Sequence, residues 1–240
     1  MSAAAALLAA EALLFGGLYV AAAARVRRWP AHRTAAFLAG VVVAFTALGL
    51  PDGRLEVHMA QHLTLALVAA PLLVAGSPLA LALRAAHRPA RAVLRAPALA
   101  HPLLGWGALA FMMVIAHLPA VWDATDHGLA HVAAHAAWLA AGALFWRPLL
   151  GVDPVPHRPR AIGRLLLLTT AMAPMGAVGA TMLDARSAWY AGATAAQTRA
   201  AGAVMWIGGG CVLAAMTVVL GWSAVVQEHR RQLGAERVLG

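Results

Sequence analysis

The chain has 240 residues, of which 62% are hydrophobic and 11% charged, with a mean hydropathy of +0.75; a soluble domain carries about 25% charged residues, so the composition excludes an ordinary soluble fold and places the chain among membrane proteins. The net charge of +9 comes from arginine alone, and the arginines fall in short connections between apolar runs, which is a pattern of membrane topology and not of a nucleic-acid partner. The single cysteine, Cys211, lies within an apolar run, which excludes a disulfide framework and a cysteine-based zinc site.

A membrane span needs about 20 mostly apolar residues, and seven segments qualify. The first is Ser2–Ala24. It lacks a basic leader, carries Glu11 inside the apolar run and has Arg25, Arg27 and Arg28 after it. That order predicts a retained helix, not a signal peptide. The second is Ala35–Leu50, with room to extend back through Arg33. The third is His58–Leu83, interrupted by Pro71, Gly76 and Pro78. The fourth is Ala98–Leu118, the fifth Gly128–Leu150, the sixth Ile162–Leu183 with Pro174 at its middle, and the seventh Ala200–Val226. Trp122, Trp146, Trp189 and Trp222 fall near helix ends, as an interfacial aromatic belt would place them. Gly208, Gly209 and Gly210 permit close helix contact in the seventh span.

The expected fold is therefore all-α: one seven-helix transmembrane domain over residues 1–226 and a polar tail over 227–240. Fifteen of the 18 basic residues lie in the first, third and fifth connections and the tail. Only Arg54, Arg186 and Arg199 lie in the others, together with Asp52, Glu56, Asp123, Asp126 and Asp184. The positive-inside rule then predicts the N-terminus outside and the C-terminus in the cytoplasm, in a multi-pass protein of the bacterial cytoplasmic membrane.

That topology gathers His58, His62, His117, His127, His131 and His135 on the non-cytoplasmic side. His58 and His62 are four residues apart, as are His131 and His135, and residues at i and i+4 share a helix face. A single histidine at a helix end reads as an interfacial group satisfied by water and backbone. Two stacked pairs with His117 read as metal ligands, because neutral imidazole is the commonest such ligand and ionisable groups within a span usually face a partner or a cavity. The expected ligands are His58, His62, His117, His131 and His135. Met59, Gln61, Asp123, His127, Met172 and Met175 are possible further ligands or supports. Thioethers favour Cu(I), so copper is the expected metal, although methionine is also ordinary apolar filler. The residues between His58 and His62 are Met59, Ala60 and Gln61, which excludes the glutamate of a helical zinc protease. Glu11 is an intramembrane acid, either functional or bonded to another helix. No catalytic constellation is visible, and the expected role is not enzymatic.

Three stretches, HMAQHLTLALVAAPLLVAGSPLAL, HLPAVWDATDHGLAHVAAHAAWLAAGALFW and AAQTRAAGAVMWIGGG, resemble the CtaG-like assembly factors of caa-type cytochrome c oxidase. His58, Gln61, His62, His117, Asp123, His131 and His135 match that family's polar pattern. The chain departs from it at Trp122–Asp123, where Tyr-Asp is usual, and at Ala196–Gln197, where Asp-Gln is frequent. The resemblance implies a seven-span protein that matures a haem–copper oxidase by delivering copper outside the membrane. Its partners would be an oxidase subunit, membrane lipid and a copper chaperone. The alternatives are a haem-binding membrane cytochrome, which needs axial histidines from different helices, and a copper or proton transporter that uses Glu11.

Overall fold

The computed structural model describes residues 3–51, 53–87, 101–154 and 157–239. Asp52, Arg88, Arg91, Arg95 and the first residues of the fourth predicted span lie outside them. The described residues form helices and no strands: α1 (Ala3–Arg25), α2 (Ala31–Leu48), α3 (Leu55–Thr64), α4 (Ala70–Ala75), α5 (Pro78–Ala85), α6 (Pro102–Ile115), α7 (Pro119–Thr125), α8 (Gly128–Leu150), α9 (Ala161–Leu183), α10 (Ala195–Ala203) and α11 (Gly210–Leu239). Single π-helical turns join α3 to α4 (Leu65–Ala69) and α10 to α11 (Val204–Gly209).

Among the described residues, six helical segments are long and apolar enough to cross a membrane, and a seventh if α6 and α7 count as one bent span. The chain is a multi-pass membrane protein. The bend between α6 and α7 is 91°. Leu118 precedes a proline and takes extended angles, and Pro119 opens the next helix, so the chain cannot continue straight. The last helix runs on to Leu239, well past the predicted end of its span at Val226.

The segment Leu55–Ala85 is the central span: 56% of its apolar window is buried, against 11% for α1. α2, α8 and α10 pack round it, α6 lies against α8 and α9, and α1 rests outside on α2 and α5. Exposed Leu13, Phe15, Phe111, Val132, Leu166 and Val218 face outward, as lipid-facing positions of a bundle do.

Pro71 explains the first π turn. Ala70 donates to Leu65 across the widened turn, so Ala66 in the same register would accept from residue 71. Proline has no N–H. Trp146 supplies the missing donor: its Nε1 gives a 2.9 Å bond to the Ala66 carbonyl. Trp146 is fully buried, so it belongs to the core and not to an interfacial belt. Pro174 lies inside α9 without interrupting it. The break at the far end of the central span is local as well. Ser77 is left-handed (φ 53°), and its hydroxyl donates to the Val152 carbonyl at 3.3 Å. Asp153 accepts from the Ala80 N–H at 3.0 Å, and burial pushes its carboxyl up while the bond to Ala80 and nearby Arg147 and Arg33 oppose that.

Close helix contact rests chiefly on glycines other than the predicted run. A Cβ at Gly142 would stand 2.6 Å from the Ala66 carbonyl oxygen, and one at Gly105 would stand 2.3 Å from that of Leu144. Of the predicted three, Gly209 alone is tight, against the Met175 sulfur. Gly142→Val should therefore destabilise the protein by about 1–3 kcal/mol, the usual cost of overpacking. Gly17→Ala, with nothing within 4 Å, should be near neutral. Thermal unfolding in detergent compares the two.

Candidate metal centre

α3 and α8 each open with a histidine pair, and the pairs face one another. Along each helix the ring centroids are 4.4 Å apart for His58 and His62 and 4.3 Å for His131 and His135. Across the helices they are 5.2 Å for His58 and His135, 5.0 Å for His62 and His135, and 5.3 Å for His58 and His131. His58, His62 and His135 are buried, and one ring nitrogen of each lies within 4.8 Å of the others. Nitrogens bound to one tetrahedral ion at about 2.0–2.1 Å stand about 3.4 Å apart, so small rotations of the rings close the gap.

The hydrogen bonds leave one ring without a partner. His135 donates its Nδ1–H to the His131 carbonyl at 3.0 Å, which fixes its tautomer and ring orientation. His62 has neither nitrogen bonded, and both are buried. Leaving a buried polar group unmet costs about 1–3 kcal/mol. Trp138 stacks on the His62 ring at 4.8 Å and 22°, which holds its plane without offering a bond.

The rings line a cavity of about 10 Å³, closed by Trp122, Thr125, Asp126 and Trp138. That is the size of one water or ion. A wider cleft of about 190 Å³, lined in part by Gly53, Tyr190 and Gln197, lies beyond Trp122 and Asp126, which border both. Trp122 stacks on Tyr190 at 4.3 Å. Tyr190 donates to the His117 carbonyl at 3.1 Å, and its burial pushes the phenol above its ordinary range, so it stays a donor.

His117 stands apart from the cavity. Its ring is 6.3 Å from that of His62. Nδ1 lies 2.8 Å from the Met113 carbonyl, which only accepts, and Nε2 lies 3.1 Å from the Met59 sulfur. In the neutral ring Nε2 turns a lone pair toward a thioether, itself a lone-pair donor. A proton or a soft cation between them relieves that opposition.

The remaining predicted residues are more scattered. Gln61 donates to the Leu50 carbonyl at 3.0 Å and holds the preceding connection. Asp123 and His127 are exposed, and His127 lies 3.6 Å from Asp126. Met172 and Met175 line a separate cleft with Trp206 and Cys211. Glu11 is half-buried on α1, away from the histidines. Asp126, Trp122 and Trp138, which enclose the cavity, were not among the predicted site residues. Only the i,i+3 spacing from Trp122 to Thr125 pointed to a shared face.

His62→Leu should leave the metal-free protein as stable or raise its stability by about 1 kcal/mol, because it removes an unmet buried polar group. His135→Leu, which loses a hydrogen bond, should lower it. Unfolding midpoints in detergent with a chelator present check both.

Comparison with known proteins adds a family. The profile of the cytochrome c oxidase caa3 assembly factor family matches residues 17–226. An uncharacterized protein of Mycobacterium leprae is 29% identical over 96% of this chain and 40% of its own length. Uncharacterized proteins of Mycobacterium bovis and Mycobacterium tuberculosis are each 30% identical over 64% of this chain and 27% of theirs. The chain thus spans well under half the length of these relatives. No solved structure matches it.

Proposed function

The chain belongs to the cytochrome c oxidase caa3 assembly factor family, and we propose that it serves oxidase maturation by holding copper at the paired histidines of α3 and α8 and passing it to an oxidase subunit. The role is non-catalytic: copper is cargo, received from a copper chaperone and released by ligand exchange. His58, His62 and His135 are its ligands, and His131 stands beside them and orients His135. The observation that carries this reading is His62, a fully enclosed imidazole with two unmet nitrogens in a cluster of three. Met59 and His117 offer a second, softer pair of donors next to it, which favours Cu(I).

The arginine-rich end faces the cytoplasm in this proposal, and the histidines open to the outer side of the bacterial cytoplasmic membrane. The mycobacterial relatives accord with that location. An ion-sized cavity of about 10 Å³ leaves no slot for a porphyrin between the rings, which weighs against a haem-binding cytochrome. Glu11 lies on the most peripheral helix and gives the transport reading no link to the histidines.

Purified protein should bind Cu(I) against a competing chelator, and His58→Ala/His62→Ala/His135→Ala should lose at least about 100-fold in affinity, while exposed His127→Ala should not. At copper 100-fold above Kd, binding should stabilise the wild type by about 2.7 kcal/mol. In cells, the triple variant should yield an oxidase depleted of copper. Equal binding by wild type and triple variant removes the site, and a Soret band in the purified protein supports the cytochrome instead.

A further inference from the structure

At the end of the bundle opposite the histidines, a cleft of about 460 Å³ opens between the start of α9 and the face of α11. Arg158, Arg160, Arg164 and Glu228 line it. Three guanidinium groups thus meet one carboxylate, and no ion pair among the described residues neutralises any of the three arginines.

The arginines sit where a helix needs the opposite sign. The N-terminus of a helix carries partial positive charge and favours acids. α9 has no acid in its first turn, and no side chain caps it. Arg160 stands at the cap and Arg164 in the first turns. An anion in the cleft answers both the unmet N–H groups and the guanidinium charges.

Arg164 is the independent sign of a ligand. It is only 8% exposed, lines the cleft, and its buried Nε has no hydrogen-bond partner. Its one bond, from an Nη to the Leu149 carbonyl, is 3.5 Å long, as is that of Arg158 to Leu150. Bonds of that length leave most of each fork available. The C-terminal carbonyls of α8 thus position the two groups without saturating them.

The surface beside the cleft identifies the source of the anion. Ile162 and Leu166 on α9 are 66% and 57% exposed, and Trp222 and Val225 on α11 are 70% and 62% exposed. A charged pocket whose walls continue as bare apolar helix faces suits a phosphate with acyl chains attached. We propose that this cleft binds the phosphate headgroup of an anionic phospholipid, with its chains lying along α9 and α11.

The test titrates the full chain in a neutral detergent with dihexanoylphosphatidylglycerol, dihexanoylphosphatidylcholine and inorganic phosphate. The glycerol lipid should bind more tightly than the choline lipid. Arg158→Gln/Arg160→Gln should weaken it by about 30-fold, from roughly 1 kcal/mol per arginine. Arg25→Gln/Arg27→Gln, equal in charge and at the same end, should change it less than about twofold. Should the double variant unfold, Arg160→Gln alone, which removes no protein hydrogen bond, should still weaken binding several-fold. Equal binding of the two lipids, or an equal loss in the control variant, overturns the site. Inorganic phosphate that binds as tightly as the glycerol lipid overturns the lipid as its source.

Discussion

A helix enclosed within a membrane bundle has no water to meet its polar groups, so each group on the central span must be met by a neighbouring helix. Much of the architecture follows from that demand on Leu55–Ala85. Leu50 takes the Gln61 amide, and Trp146 donates to the carbonyl that Pro71 cannot serve. Tyr19 donates to the Gly76 carbonyl, Ser77 donates to Val152, and Asp153 accepts from Ala80. Residues from α1, α8 and the connections before α3 and after α8 are thereby fixed against one buried axis. The exception stands at the candidate site. His62 is enclosed as fully as its neighbours and yet has no protein partner. Glu56 and Gln61 on the same span each leave one oxygen unmet but are held through another atom, whereas both nitrogens of His62 are unmet, which points to a group supplied from outside.

The two ends of the bundle carry opposite chemistry for a common reason. At one end the starts of α3 and α8 place their imidazoles side by side, so ring nitrogens face each other across a cavity too small for more than an ion. At the other end arginines sit at helix termini. Those at the α8 C-terminus complement its carbonyls, whereas at the α9 N-terminus the same charges oppose the dipole. The apolar core between the ends is packed with Met59, Trp138, Phe145, Leu149, Leu168 and Met175.

The spans were legible because each is a long apolar run, and the histidine pairs because i,i+4 spacing fixes a helix face whatever the tertiary structure. Which helix faces meet was not legible. His117 shares the end of the bundle with the pairs, but its ring turns to Met59. Asp123 and Asp126 are both acids on one short stretch, and it is the packing of that stretch against α8 after the 91° bend that leaves Asp126 at the cavity and Asp123 exposed. Trp146 resembled a belt tryptophan by its distance along the chain. Its role is set by a proline 75 residues earlier, a relation that no local pattern contains. Gly142 and Gly105 were missed for the same reason: their value lies in the backbone opposite.

The enclosure of the histidines and the packing of the bundle are separable. α7 contributes no buried residue, although Trp122, Thr125 and Asp126 wall the cavity. Trp122 is fixed by its stack on Tyr190 and its contact with His58 at 4.6 Å, and Tyr190 by its bond to the His117 carbonyl. The imidazoles, in contrast, stand on α3 and α8, which contribute the buried core residues Met59, Leu63, Trp138 and Phe145. Trp122 and Asp126 thus form the wall between the cavity and the cleft at Tyr190, while the ligands are held by helices that also build the core.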